Sequence, residues 1–146
     1  MDRENIAFEY DKNLFLEIIN EFSGYIRLWE NIDMSQYFLY EHLRNFEATL
    51  QKLDVAEKSL HDSKANESRI ALFDSIGIFI DKTSEKTYLV TEDKLYSGVP
   101  KKWRDTNKED FIKRYKKDVS ELNALKNAFL ADYYAFLNIG KEKLFI

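Results

Sequence analysis

One proline and four glycines in 146 residues, where a chain of this length ordinarily holds about 7 and about 10, leave few places for a tight turn. Long uninterrupted helices are the economical way to fold such a sequence. With 45% apolar residues the chain can bury one sizeable core, and its length suits a single domain spanning 1–146. The expected fold class is all-α.

Spacing supplies the elements. Phe15, Ile18, Ile19, Phe22, Ile26 and Trp29 recur at three and four residues, predicting an amphipathic helix over about 12–31. Gly24 weakens that helix by only about 1 kcal/mol. The preceding Ile6, Phe8 and Tyr10 alternate like a short strand beside a terminus and fix nothing. Asp33 or Ser35 would cap a second helix over about 35–62, with Leu39, Leu43, Phe46, Leu50, Leu53 and Leu60 as a seam that only Glu57 interrupts. A final helix over about 107–138 carries Phe111, Ile112, Tyr115, Val119, Leu122, Leu125, Phe129, Tyr133 and Phe136 on one face. Thr106 with Glu109 reads as its capping box and Gly140 as its stop.

The stretch 63–100 has two readings. Ile70, Phe73, Ile76 and Ile80 predict a third helix beginning at Asn66, and this is the preferred one. The branched and aromatic residues of 76–81 and 86–91 also describe a small β-hairpin at 76–91, to which Ile6, Phe8 and Tyr10 could add a strand. Thr91, Glu92 and Asp93 then look like the cap and first turn of a short helix ended by Gly98 and Pro100.

Two places carry more rings than one buried helical face can hide. Tyr37, Phe38, Leu39 and Tyr40 are consecutive, as are Tyr133, Tyr134, Ala135, Phe136 and Leu137, and at 100° per residue they point all the way round a helix. Tyr37, Tyr40 and Tyr134 alone would expose about 450 to 750 Å², close to one side of a standard interface. Either a partner covers these rings or the loop 83–100 folds over them. The partner reading makes Tyr37, Phe38, Tyr40, Tyr133, Tyr134 and Leu137 the candidate docking residues.

Charge is uneven along the chain. Residues 1–62 hold six Lys or Arg against thirteen Asp or Glu, net −7, whereas 101–146 hold eleven against seven, net +4. That asymmetry fits helices packed within one subunit or head-to-tail pairing between subunits. Within 101–117, eight cations interleave with Trp103, Phe111 and Tyr115, so Lys101, Lys102, Arg104, Lys113 and Lys117 are the alternative candidates for contact with nucleic acid. An acidic chain with pI near 5.3 argues against that use.

Chemistry has thin candidates. His42 and His61 are the only histidines; on one helix they diverge by about 100° and cannot share a metal. Glu57 and His61, four apart on the expected second helix, form the one constellation with acid/base character. No metal, phosphate-loop or dinucleotide motif occurs, cysteine is absent, and no apolar run approaches the roughly 18 residues of a membrane span. The expectation is a non-enzymatic, cytoplasmic interaction protein without cofactor: an adaptor, inhibitor or immunity-type protein that binds another protein, itself as a homodimer, or both. Its Lys, Ile, Asn, Phe and Tyr content hints at an AT-rich bacterial or phage coding sequence. A nucleic-acid accessory protein and a small enzyme or ligand carrier with a Glu57/His61 site are the alternatives.

Overall fold

In a computed structural model describing residues 2–146, four long helices pack around a shared core, and a small sheet closes one end. The order is α1 (Arg3–Glu30), β1 (Phe38–Leu39), α2 (Tyr40–Leu53), a 3₁₀ turn at Ala56–Lys58, α3 (Ser63–Lys86), β2 (Tyr88–Leu89), β3 (Tyr96–Gly98), the one-turn α4 (Lys101–Arg104) and α5 (Glu109–Leu144). Among the described residues no helix is long and apolar enough to cross a membrane. The all-α bundle with one small hairpin expected from the spacing is the architecture present, though several boundaries differ.

Rings join the helices. Trp29 of α1 meets Phe38 of β1 at 5.3 Å and Phe79 of α3 at 5.2 Å; Phe79 meets Phe129 of α5 at 4.9 Å; and Phe129 meets Phe46 of α2 at 5.6 Å. Phe22 adds contacts to Phe46 and Phe73. All seven side chains are buried. Each tilted or edge-on ring pair adds about 0.5 to 1.5 kcal/mol beyond burial itself, so much of the aromatic surplus is spent inside the molecule.

The differences have local causes. Asp2 accepts a hydrogen bond from the Asn5 backbone N–H at 2.9 Å, so α1 begins at Arg3 and takes in Ile6, Phe8 and Tyr10 as helical residues. The expected helix 35–62 starts only at Tyr40 and ends at Leu53. Beyond it the buried Asp11 carboxylate accepts from the backbone N–H groups of His61 (2.7 Å) and Asp62 (2.8 Å), and Asp62 caps α3. Those bonds require non-helical chain at 59–62. Leu60 is still buried, but from a loop.

Residues 76–86 are helical, so the hairpin lies at 88–98 rather than 76–91. Its turn is the segment expected to form a short helix: Lys94 N–H donates to the Thr91 carbonyl, Leu95 N–H donates to Asp93, and Lys94 takes φ 59°. The third strand comes from Phe38–Leu39 rather than from residues 6–10. At α5 the capping box does not form, since Lys108 is the N-cap without a side-chain bond and Glu109 pairs with Lys113 at 3.2 Å. Gly140 does not end the helix either. The Phe15 ring occupies the space a Cβ there would need, and α5 runs on to Leu144, for a length of about 54 Å.

A polar latch sets the position of β1. Asn123 of α5 accepts from Met34 N–H at 2.9 Å and donates to Asp33 at 3.1 Å, while the buried Lys126 ammonium donates to the Ile32 carbonyl. Burial pushes the Lys126 ammonium below its usual value, an effect that nearby Asp33 opposes. The Asp33 carboxyl is held below the usual carboxylate value, first by the Ser35 hydroxyl and then by the Ser35 backbone N–H, with Asn123 and Lys126 adding to the effect.

Two predictions follow from this packing. Gly24 faces open space whereas Gly140 lies under the Phe15 ring. Gly24→Ala should therefore stabilise the protein by about 0.5 to 1 kcal/mol and Gly140→Ala destabilise it by about 1 to 3 kcal/mol, read from urea melts followed by circular dichroism. Asp33 releases its proton more readily folded than unfolded, so its contribution is complete above about pH 4 and is lost as pH falls through the folded value. Asp33→Asn should lower stability at pH 7 by less than about 1 kcal/mol, since the group is largely solvated, and the difference should shrink as pH falls below the folded value; a difference that stays constant with falling pH contradicts the latch.

Candidate interaction surface at the sheet end

The antiparallel sheet has the order β1–β3–β2, pairing Phe38 with Ser97, Leu39 with Tyr96, and Tyr88 with Gly98. Side chains alternate between the faces of a strand. Phe38 and Ser97 consequently point together into the core, where both are buried, while Tyr88 shares the opposite face with Gly98. The Tyr37 ring lies against Gly98 so closely that any side chain there would collide with it. The Tyr37 hydroxyl accepts from the Lys101 backbone N–H at 3.1 Å, and the Lys101 ammonium sits 4.6 Å from the ring centre.

On the other side of this surface the anchor is a buried carboxylate. Asp118 lies 3.8 Å from both Lys86 and Arg114. The Arg114 guanidinium is 4.5 Å above the Trp103 ring and donates to the Tyr88 hydroxyl at 3.3 Å, and Tyr88 meets Trp103 edge-on at 5.8 Å. Between these groups opens a recess of about 470 Å³ lined by Tyr37, Tyr88, Leu89, Val90, Pro100, Lys102 and Trp103. A second, of about 410 Å³, shares Lys102 and Trp103 with it and continues past Thr106 and Lys108 to Phe111. Both fall within the range of small-ligand and anchor-residue pockets.

The candidate residues read from sequence separate accordingly. Phe38 and Tyr133 are core residues. Tyr37 is half-buried, Tyr40 is 39% exposed and Tyr134 is 44% exposed, so the three rings expose less than half of the surface expected of them. Of the three, Tyr37 is covered from the segment 83–100, by Gly98 of β3, whereas Tyr134 meets Glu30 of α1. Tyr134 donates its hydroxyl to Glu30, which raises its phenol above the usual value, and Leu137 packs against the core at its edge. In place of those rings the sheet end exposes Tyr88 (45%), Leu89 (48%) and Leu95 (56%), none of which stood out in the sequence.

The basic candidates converge on the same end. Lys101, Lys102 and Arg104 lie in α4, which also carries Trp103, and Lys101 is held against Tyr37. Arg104 pairs with Asp105 at 2.8 Å, Lys113 pairs with Glu109, and Lys117 is exposed on α5. Among the described residues Lys101, Lys102 and Lys108 pair with no carboxylate, and no ion pair joins 1–62 to 101–146. Within the subunit the charge asymmetry is met by the attraction between Asp33 and Lys126 and by no direct ion pair among the described residues.

Glu57 and His61 do not form the expected pair. Glu57 lies in the 3₁₀ turn and His61 in the loop after it, both exposed, and they line separate recesses. The Tyr10 hydroxyl donates to the Glu57 backbone carbonyl at 2.5 Å, and the Tyr10 ring meets the His61 ring edge-on. Their spacing of four has no helix beneath it.

No protein-family model, no curated protein and no solved structure matches this chain.

The contact between Tyr37 and α4 is testable by itself. Tyr37→Phe should cost about 0.5 to 1.5 kcal/mol and speed amide exchange at Lys101, whose N–H loses its acceptor; an unchanged exchange rate removes the tie between the strand and α4.

Proposed function

We propose that this protein is a non-enzymatic interaction module, an intracellular adaptor, inhibitor or immunity-type protein, whose docking face is the sheet end. The observation that carries this reading is the coincidence of exposed Tyr88 and Leu89 with the recess between Tyr37 and Trp103, beside a hairpin turn that also exposes Leu95. Aromatic rings anchored in place lose little side-chain entropy on binding, which is why tyrosine and tryptophan are enriched at contact sites. The rings here are anchored: Tyr37 by Lys101 and Gly98, Trp103 and Tyr88 by Arg114. Tyr40, exposed at the start of α2, extends the face.

Self-association is the second part of the proposal and uses a different place. Tyr134 and Leu137 lie about 30 Å along α5 from Arg114, so a subunit paired there keeps its sheet end free.

Two variants separate the parts. The Tyr88→Ser/Leu89→Ser protein should lose at least tenfold in capture of partners cross-linked from the source lysate, while remaining folded with a stability loss of no more than about 2 kcal/mol, from the Tyr88–Trp103 contact. Tyr134→Ser should leave capture intact and lower the mass seen by sedimentation equilibrium. Identical capture by parent and double variant overturns the docking face; a monomeric parent at all concentrations overturns self-association.

A further inference from the structure

Resting on the interaction reading above, we infer that the partner presents an extended acidic segment, with apolar side chains seated in the two recesses on either side of Trp103. Three observations converge on this occupant.

The first is shape. The two recesses share Trp103 and Lys102 and together form a trough running from Tyr37 to Phe111. Two adjoining hollows divided by one ring suit a chain that places a side chain in each, rather than a flat protein face.

The second is charge. Lys101, Lys102 and Lys108 rim or adjoin the trough without a carboxylate partner. Of the acids around them, Asp105 pairs with Arg104, Glu109 with Lys113, and Asp118 with Lys86 and Arg114, leaving Glu92, Asp93 and Asp110 without a cation. Among the described residues no acid of 1–62 pairs with this end, which leaves these ammonium groups free to meet an acidic partner.

The third observation favours a peptide over a nucleic acid, the other polyanion such a rim could attract. Stacking needs bare ring faces, yet Arg114 covers a face of Trp103, Lys101 lies over Tyr37 and Lys108 over Phe111. A phosphate backbone continuing past the trough would also meet a chain that is acidic as a whole. Carboxylates spaced along a short segment satisfy the rim without that penalty.

The test is selection of a random-peptide display library on the full-length protein, followed by titration of fluorescein-labelled peptides made from the enriched sequences. Enriched sequences should be net acidic with one or two apolar residues, and should change the emission of Trp103 while the buried Trp29 stays silent. Lys102→Glu/Lys108→Glu should weaken them at least tenfold, Lys141→Glu at the far end of α5 should not, and raising salt from about 50 to about 300 mM should weaken them several-fold. Enrichment of neutral or basic peptides, no enrichment, or acidic peptides indifferent to the double charge reversal would each overturn the inference. So would a labelled oligothymidylate that binds more tightly than any peptide and is lost in the double variant, which assigns the trough to nucleic acid. Dimerisation abolished by Lys102→Glu without peptide would assign it to a second copy. Partner capture from lysate that needs Tyr88 and Leu89 but ignores the charge reversal leaves the interaction module standing and removes only the acidic segment.

Discussion

Edge-on and tilted packing of rings drawn from five different elements is the interaction on which the molecule depends. Trp29, Phe38, Phe46, Phe79 and Phe129 come from α1, β1, α2, α3 and α5, so none of these elements is in place until the others are. A chain with so few turn-forming residues gains compactness from this cluster instead of from tight reversals. It also governs where glycine is used. Gly140 lets Phe15 lie against α5, and Gly98 lets Tyr37 lie against β3; in both places the residue is there for its missing side chain and not for an unusual backbone angle.

The same cluster explains why exposed rings end up where they do. Consecutive aromatics at 37–40 overload a helix but not a strand, because a strand sends neighbours to opposite faces. Phe38 therefore enters the core, and Tyr37 stays outside, leaning on Gly98. What cannot be buried is pushed to the β2–β3 hairpin, at the edge of the three-stranded sheet, where even Leu89, in register with buried Ser97, is exposed. Tyr88, Leu89 and Leu95 remain at the surface there because the hairpin has no further layer to cover it.

Legibility in the sequence followed the range of the forces involved. The stripes of α1, α3 and α5 were readable because burial along a helix repeats every three to four residues and the signal accumulates over many turns. The stop at Leu53 was not: the apolar spacing runs on to Leu60, and the chain that follows is held out of a helix by Asp11, some fifty positions upstream, which bonds to His61 and Asp62. Gly140 misled for a related reason, since a glycine that serves close packing looks the same in sequence as one that ends a helix. Strands of two or three residues carry no period at all, and their register is set by pairing across the chain. Tyr37, Tyr40, Lys101 and Lys102 could thus be singled out separately, but nothing local indicated that β3 would bring Tyr37 to α4 or that Arg114 would bridge Tyr88 and Trp103.

That bridge ties the surface to the interior. Asp118 is a buried acid on α5, and its attraction fixes Arg114 over Trp103 rather than leaving a long flexible cation in solvent. Lys86, at the end of α3, shares the same carboxylate, so the trough is referenced to the α3–α5 contact, the most extensive in the bundle. Lys101 is referenced to β1 through Tyr37, and β1 to α5 through Asn123 and Met34. Both walls of the trough therefore trace back to α5, one through a buried charge and one through the polar latch. A docking site built this way meets its partner with its rings already in position, and the ordering cost that a loose aromatic loop would incur on binding has been met during folding.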